Sequence, residues 1–181
     1  MKIIGITGTL GAGKGTIVDY LEKEKGFLHF SVRQYLIGQI EKRGMEVNRD
    51  SMTSVANELR AKNSPSFIIE ELYKEAIRAG KNSIIESIRT PGEIDFLKKQ
   101  GNFILLAIDA DAKQRFERIK LRASETDNIN FETFIANEGR EMTSADPNKQ
   151  NLAKCIELAD VVLNNNGSIS QLIDQLNHSL I

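Results

Sequence analysis

The sequence predicts an α/β fold, a three-layer α/β/α sandwich around a five-stranded parallel sheet in the order 2-3-1-4-5, formed by one domain over residues 1–181. Three observations lead there. Short apolar runs alternate with longer stretches of helical periodicity, the pattern of right-handed crossovers that build parallel sheets. The runs at 3–7, 84–86 and 104–108 are continuous rather than alternating, as strands covered on both faces require. The first run also ends in a glycine-rich turn that opens directly into a helical pattern.

The elements follow in order. A strand at 3–7 and a helix at 14–25 precede a short strand at 28–31. From 33 to 79 the pattern is helical with interruptions: Gly44 stops one helix, Asn48 to Asp50 start a second, and Asn63-Ser64-Pro65 opens a third over 66–79. A strand at 83–86 ends in Glu86, a helix covers 92–99, and the most apolar strand runs over 103–108. Helices at 112–122 and 131–142 flank a polar stretch at 123–130 that has no period. A helix at 151–158, a last strand at 161–163 and a helix at 168–178 close the chain.

Composition bounds the function. Hydrophobic residues make up 40% and charged residues 27%, ordinary for a soluble globular chain. The net charge of −1 gives no global pull toward nucleic acid or an acidic membrane, so any anion site has to be local. The single Cys155 rules out an internal disulfide framework and reads as a reduced, half-buried thiol in a helix. The first apolar run breaks too early for a signal core or a membrane span, and a cytoplasmic location is expected by elimination.

The run Gly8-Thr9-Leu10-Gly11-Ala12-Gly13-Lys14-Gly15-Thr16 completes G-x-x-x-x-G-K between strand and helix, which is the context a phosphate-binding loop needs. Its glycines let backbone N–H groups converge on phosphate, and the helix N-terminus adds partial positive charge. The fold expected is therefore that of a P-loop NTPase, with ATP as phosphoryl donor and Lys14 reaching the β- and γ-phosphates. Gly15 stands where most such loops carry the Ser or Thr that binds Mg²⁺, which leaves that role to Thr16.

The Gly-Lys-Gly-Thr ending resembles nucleoside monophosphate kinases of the adenylate kinase type, and the likeness runs down most of the chain. His29-Phe30-Ser31 looks like the second strand that leads into their acceptor-binding helices. Glu86-Ser87-Ile88-Arg89-Thr90 looks like their Asp-Gly-Phe-Pro-Arg-Thr segment. There the acid sits near Mg²⁺ and the arginine grips the acceptor phosphate, which implies a water-mediated metal role for Glu86 and an acceptor role for Arg89. Arg118 and Arg122 resemble the pair at the lid entrance, and Arg140 a lid-side arginine returning to the phosphates, which implies that these three act catalytically with Lys14 to stabilise the transferring phosphoryl group. The stretch from Ala159 to Ser168 is similar to the last strand and turn of dephospho-CoA kinases. The whole pattern looks most like the adenylate-kinase-related, dephospho-CoA-kinase-like P-loop proteins, with a weaker likeness to P-loop domains attached to deoxycytidylate deaminases.

Departures lie on the acceptor side. Ser31-Val32-Arg33-Gln34 replaces Ser-Thr-Gly-Asp, Ile37 stands where a further arginine belongs, and no proline precedes Arg89. The lid is short and has no zinc-binding Cys or His set. These departures point away from AMP as acceptor.

Arg33 opens the acceptor-side helix, where a cation is electrostatically disfavoured, and this marks it as an acceptor ligand. Arg49 and Arg60 read as exposed, Asp109 as the cap of the next helix, and His29 and His178 as structural. Tyr35 and Phe67 read as core, and Asn164 to Gly167 as a plain turn.

The resulting expectation is an ATP- and Mg²⁺-dependent kinase of a small nucleotide-like monophosphate, deoxynucleoside or nucleoside, with no nucleic-acid or membrane partner. Residues 33–79 form its helical acceptor-binding region and 119–142 its lid region. Dephospho-CoA is the alternative acceptor, though its hydroxyl wants a carboxylate base and none is obvious. An adenine-nucleotide sensor with little turnover is the alternative of another class. A GTPase is disfavoured because Asn148-Lys149-Gln150-Asn151 lacks the guanine-reading Asp and follows no strand.

Overall fold

The computed structural model describes residues 1–122 and 129–180, and most of the expected polar lid, 123–128, lies outside them. In chain order the elements are β1 (Ile3–Gly8), α1 (Lys14–Lys25), β2 (Leu28–Ser31), α2 (Val32–Lys42), α3 (Arg49–Lys62), α4 (Phe67–Ala79) and β3 (Ser83–Glu86). Then come α5 (Pro91–Lys99), β4 (Phe103–Asp109), α6 (Ala112–Arg122), α7 (Phe131–Met142), α8 (Leu152–Glu157), β5 (Val161–Asn164) and α9 (Ile169–Ser179). The sheet has five parallel strands in the order β2-β3-β1-β4-β5, as expected. β1 pairs with β3 from Ile3↔Ser83 and with β4 from Ile3↔Phe103. The carboxyl ends of the strands therefore share one edge, the usual ligand edge of an open α/β sheet.

Alternation along the central strands divides the core. Ile3, Ile85 and Leu105 face α2, α3, α4, α5 and α8, whereas Ile4, Ile6, Ile84 and Leu106 face α1 and α9. Gly5 belongs to the first face, where an added Cβ would stand 2.6 Å from the Ile88 side chain. Tyr35 and Phe67 pack against this core as expected. Cys155 is fully buried on α8 rather than half-buried, and burial pushes its thiol up to about 12, leaving it inert.

Helix starts refine the sequence reading. α5 begins at Pro91 because Thr90 and Glu93 form a capping box with proline in the first turn. The start of α6 is held by Asp111, whose Oδ1 accepts from Lys113 N and Gln114 N. Asp109, expected to cap that helix, instead accepts from Thr9 Oγ1 at 2.9 Å. A small third cluster, Phe116, Ile119 and Phe134, joins α6 to α7 and packs on Leu10 of the glycine loop. Among the described residues no helix is long and apolar enough to cross a membrane.

The expectation that Arg60 is exposed is overturned. Arg60 is 2% exposed and Glu93 is fully buried. Nε and Nη2 of Arg60 donate to Glu93 Oε1 at 3.1 and 2.8 Å, tying α3 to α5. Breaking a buried pair leaves an uncompensated charge, whereas replacing both partners is often neutral. Arg60→Met is expected to cost about 3–5 kcal/mol in urea unfolding. Arg60→Met with Glu93→Gln should recover most of that loss, and a double variant no better than the single would refute a pairing role.

Candidate active site

The glycine loop between β1 and α1 is built from the sheet outward. Gly8 has φ +132 and a Cβ there would stand 2.1 Å from Ile108 O, while Gly13 has φ +103 and a Cβ would meet Asn165 Nδ2 at 2.2 Å. Both positions thus demand glycine, for conformation and for room. Thr9 is pinned to Asp109, and Asn165 Nδ2 donates to Ala12 O at 2.8 Å from the turn after β5. Lys14 Nζ lies across the loop and donates to Gly8 O at 3.0 Å and Thr9 O at 2.8 Å. Gly15 has open space around a would-be Cβ, so packing does not explain its missing side chain.

A cavity of about 750 Å³ opens in front of this loop. Leu10, Gly11, Gly13, Lys14, Gly15 and Thr16 line one side of it, while Gly8, Thr9 and Ala12 act as the framework behind. It also gathers Arg33, Glu86, Arg89, Arg118 and Arg122. Arg140 is not brought in. It is exposed and donates to Asn137 Oδ1 one turn back on α7, because the inward stripe of that helix passes through Phe134, Asn137 and Glu141.

Glu86 ends β3 and faces Lys14 from the strand next to the loop. Ser87 follows it with φ 73, a left-handed conformation that turns the chain toward Arg89. His29, expected to be structural, stands on β2 with Nε2 3.3 Å from Glu86 Oε2. That contact lies within ion-pair reach but off the line of a directed hydrogen bond, since His29 Nε2 is buried without a formal partner. Burial alone would raise the Glu86 carboxyl, yet His29 and Lys14 hold it below the usual range. Burial pushes the Lys14 ammonium down to about 8, Arg89 and Arg122 push the same way, and Glu86 and Glu141 oppose them.

Arg49, Arg60, Glu141 and Arg115 escaped the sequence reading, as did Asn165, which was expected to be part of a plain turn. Arg49 and Arg60 line the cavity from α3, in a stripe with Met52, Thr53 and Ala56. Spacings of three and four on one helix were the available signal. Glu141 on α7 accepts from Arg49 Nη2, and from Arg89 Nη1 at 2.7 Å. Arg115, 4% exposed, donates to Ala110 O at 2.8 Å, Leu10 O at 3.2 Å and Glu138 Oε1 at 3.0 Å, fixing the loop apex to α6 and α7. Arg118 donates to Asn165 O at 2.7 Å, which puts it beside the turn after β5.

Sheet order, glycine loop and cavity define a P-loop NTPase of kinase-like fold. A crystal structure from Thermus thermophilus superposes with a TM-score of 0.61 at 20% identity, covering 99% of this chain and 96% of that one. A gluconokinase from Sinorhizobium meliloti 1021 gives 0.59 at 12% identity, covering 99% and 91%. At those identities the likeness shows the fold. In sequence, a UPF0200 protein of Methanococcus vannielii is 31% identical over 183 residues, 99% of this chain and 95% of the relative. The chain belongs to the UPF0200 family, and its residues 4–146 match the family model of an AAA domain.

The His29–Glu86 contact predicts a titration. His29 takes up a proton above its ordinary value because Glu86 stands beside it. Its contribution to stability is therefore complete below pH 6.5 and fades as pH rises through the folded-state value. In Glu86→Gln, followed by NMR of the imidazole protons, the titration should move down, since burial then acts with less opposition. An unmoved midpoint would disconnect the two residues.

Proposed function

We propose that this chain is an ATP-dependent phosphotransferase that passes the γ-phosphoryl group to a nucleotide-like monophosphate, with deoxynucleoside and nucleoside monophosphates as preferred acceptors. One observation carries the reading: a single cavity holds the glycine loop and Lys14 on one side and Arg33 and Arg89 on another. Donor and acceptor anions would share one enclosure there, which is most of what phosphoryl transfer asks of a protein. The gluconokinase fold and the resemblance to adenylate-kinase-type enzymes support the same class.

In this reading the loop N–H groups and Lys14 cradle the donor phosphates. Arg118, Asn165 and Gly167 frame the far end, where the adenine would lie. Arg33 and Arg89 orient the acceptor. An acceptor phosphate oxygen forms the new bond to the γ-phosphorus while the bond to the β-bridging oxygen breaks and ADP leaves. No protein base is needed, because that oxygen is already a nucleophile. Lys14 and Arg122 follow the charge as it moves. Among the described residues no group of three or more His, Cys, Asp or Glu could hold a metal by itself. Thr16 and an ionised Glu86 in the same cavity fit a hard cation shared with phosphate oxygens and held through water. Thr16 and Glu86 would hold Mg²⁺ there through water, and the ion would supply neutralisation of the donor's phosphate charge. Residues 33–79 then serve as the acceptor-binding region and 119–142 as the lid region that excludes water.

One observation favours a second reading. Glu86, kept ionised inside the cavity, is the carboxylate that a hydroxyl acceptor such as dephospho-CoA would need as base.

The deciding experiment is ADP release across all nucleoside and deoxynucleoside monophosphates plus dephospho-CoA. At least one acceptor should raise turnover well above the basal ATPase rate. Binding without such a rise would make the chain a nucleotide sensor instead. Lys14→Ala should remove transfer while circular dichroism stays native, and unchanged turnover in that variant would end the proposal. Arg89→Ala should act mainly on the acceptor KM, and Arg122→Ala on kcat by roughly 10²-fold. Equal damage to ATP affinity from Arg89→Ala and Lys14→Ala would take Arg89 off the acceptor side.

A further inference from the structure

Three arginines other than Arg60 line the cavity away from the glycine loop and α6: Arg33, Arg49 and Arg89. They are not equivalent. Arg33 Nη1 meets only the Met52 sulfur, at 3.7 Å, and forms no ion pair among the described residues. Arg49 and Arg89 both spend a guanidinium arm on Glu141, one on each carboxylate oxygen. Arg89 Nη1 also reaches Gln150 Oε1 at 3.1 Å. The Glu141 side chain is 13% exposed and itself lines the cavity. Burial alone would raise its carboxyl, but Arg89 and Arg49 hold it below the usual range, so it is an anion in this state. A carboxylate of the chain thus lies on Arg89, one of the two acceptor-side arginines, and on its neighbour Arg49.

We propose that Glu141 is the built-in counter-anion of the acceptor site, and that it selects phosphate monoesters by yielding its two arginines only to a dianion. The inference rests on the phosphotransferase reading and names the specificity residue of that same site. A carboxylate offers one charge and two oxygens. A phosphate monoester near neutral pH offers up to two charges and three oxygens, enough for Arg49, Arg89 and the uncommitted Arg33 together. A monoanion gains little by exchange, and a neutral polyol has nothing to offer the arginines it would strand. The geometry also couples the exchange to α7. One turn before Glu141, Glu138 holds Arg115 of α6, so α7 is tied toward α6 at one position and toward α3 at the next. Losing the Glu141 tie frees one of those two anchors.

The test is calorimetric titration with inorganic phosphate and with methanesulfonate, a monoanion, at pH 7.5. It is run in a Lys14→Ala background so that the glycine loop takes little of either. Glu141→Gln should tighten phosphate binding about 10-fold or more, since the competing charge is gone. Methanesulfonate should show no measurable binding while Glu141 is intact and measurable binding in Glu141→Gln. Adding Arg89→Met should abolish the gain. Phosphate binding that weakens or stays within about 2-fold in Glu141→Gln would make Glu141 a positioning residue and overturn the proposal. In the chain with Glu141 intact, saturating phosphate should speed amide hydrogen exchange in α7, and unchanged or slower exchange would likewise count against it. Neither readout involves turnover. A chain that passes both yet transfers no phosphoryl group would lose the kinase reading alone.

Discussion

The carboxylate of Glu93 lies wholly out of water and collects N–H groups from two directions. Oε1 takes the Arg60 guanidinium, and Oε2 takes the backbone N–H groups of Arg89 and Thr90 at 2.7 and 3.0 Å. A buried charge so placed is tolerable only when its lone pairs are used, and here both oxygens are. The consequence for the fold is a fixed triangle of α3, the segment after β3, and the start of α5. The consequence for the site is that Arg89 cannot drift, because its backbone is tied to the group that anchors the facing helix. The stretch of the acceptor-side wall from Arg60 to Arg89 is anchored by this one side chain.

The sheet and the phosphate loop were legible because their determinants are local. A strand covered on both faces has to be apolar at every position, and β1, β3 and β4 advertise this in the sequence, which places β1 between the other two. The loop is a contiguous run, although its glycines answer both to their own positive φ and to close neighbours on β4, on α6 and in the turn after β5. The acceptor wall was legible only in part: Arg33, Glu86 and Arg89 carry local signals and line the cavity, whereas the other determinants are pairs distant along the chain. Arg60 finds Glu93, and Arg49 finds Glu141, only after two or more intervening elements have folded. Taken alone, either arginine looks like a solvated helix position. Helix phase accounts for Arg140: the sequence pattern favours the cation at 140, while the carboxylate at 141 is the residue that faces in.

Charge balance ties the two halves of the cavity together. A chain with net charge −1 has nevertheless placed Lys14 and several arginines around one enclosed space. Left alone, those cations would repel one another across a medium that screens poorly. Three carboxylates limit that cost, each in a different way. Glu93 is locked and serves geometry. Glu86 stands between Lys14 and His29 at the sheet edge, and Glu141 of α7 bridges α3 and the segment after β3 at the cavity wall. Only the last two reach Lys14 electrostatically, and both favour its charged form.

Even with that help Lys14 holds its proton less tightly than an ordinary lysine, because burial costs it more than the two carboxylates return. The ammonium meanwhile donates to carbonyls of its own loop, which are dipoles and not charges. A cation left in that condition is stabilised by an arriving polyanion more than a solvated lysine would be, since less hydration remains to be removed. The same holds for any phosphoryl oxygen whose charge grows during transfer. The loop, by drawing its lysine inward over its own carbonyls, stores a preference for anions that is spent when phosphate enters.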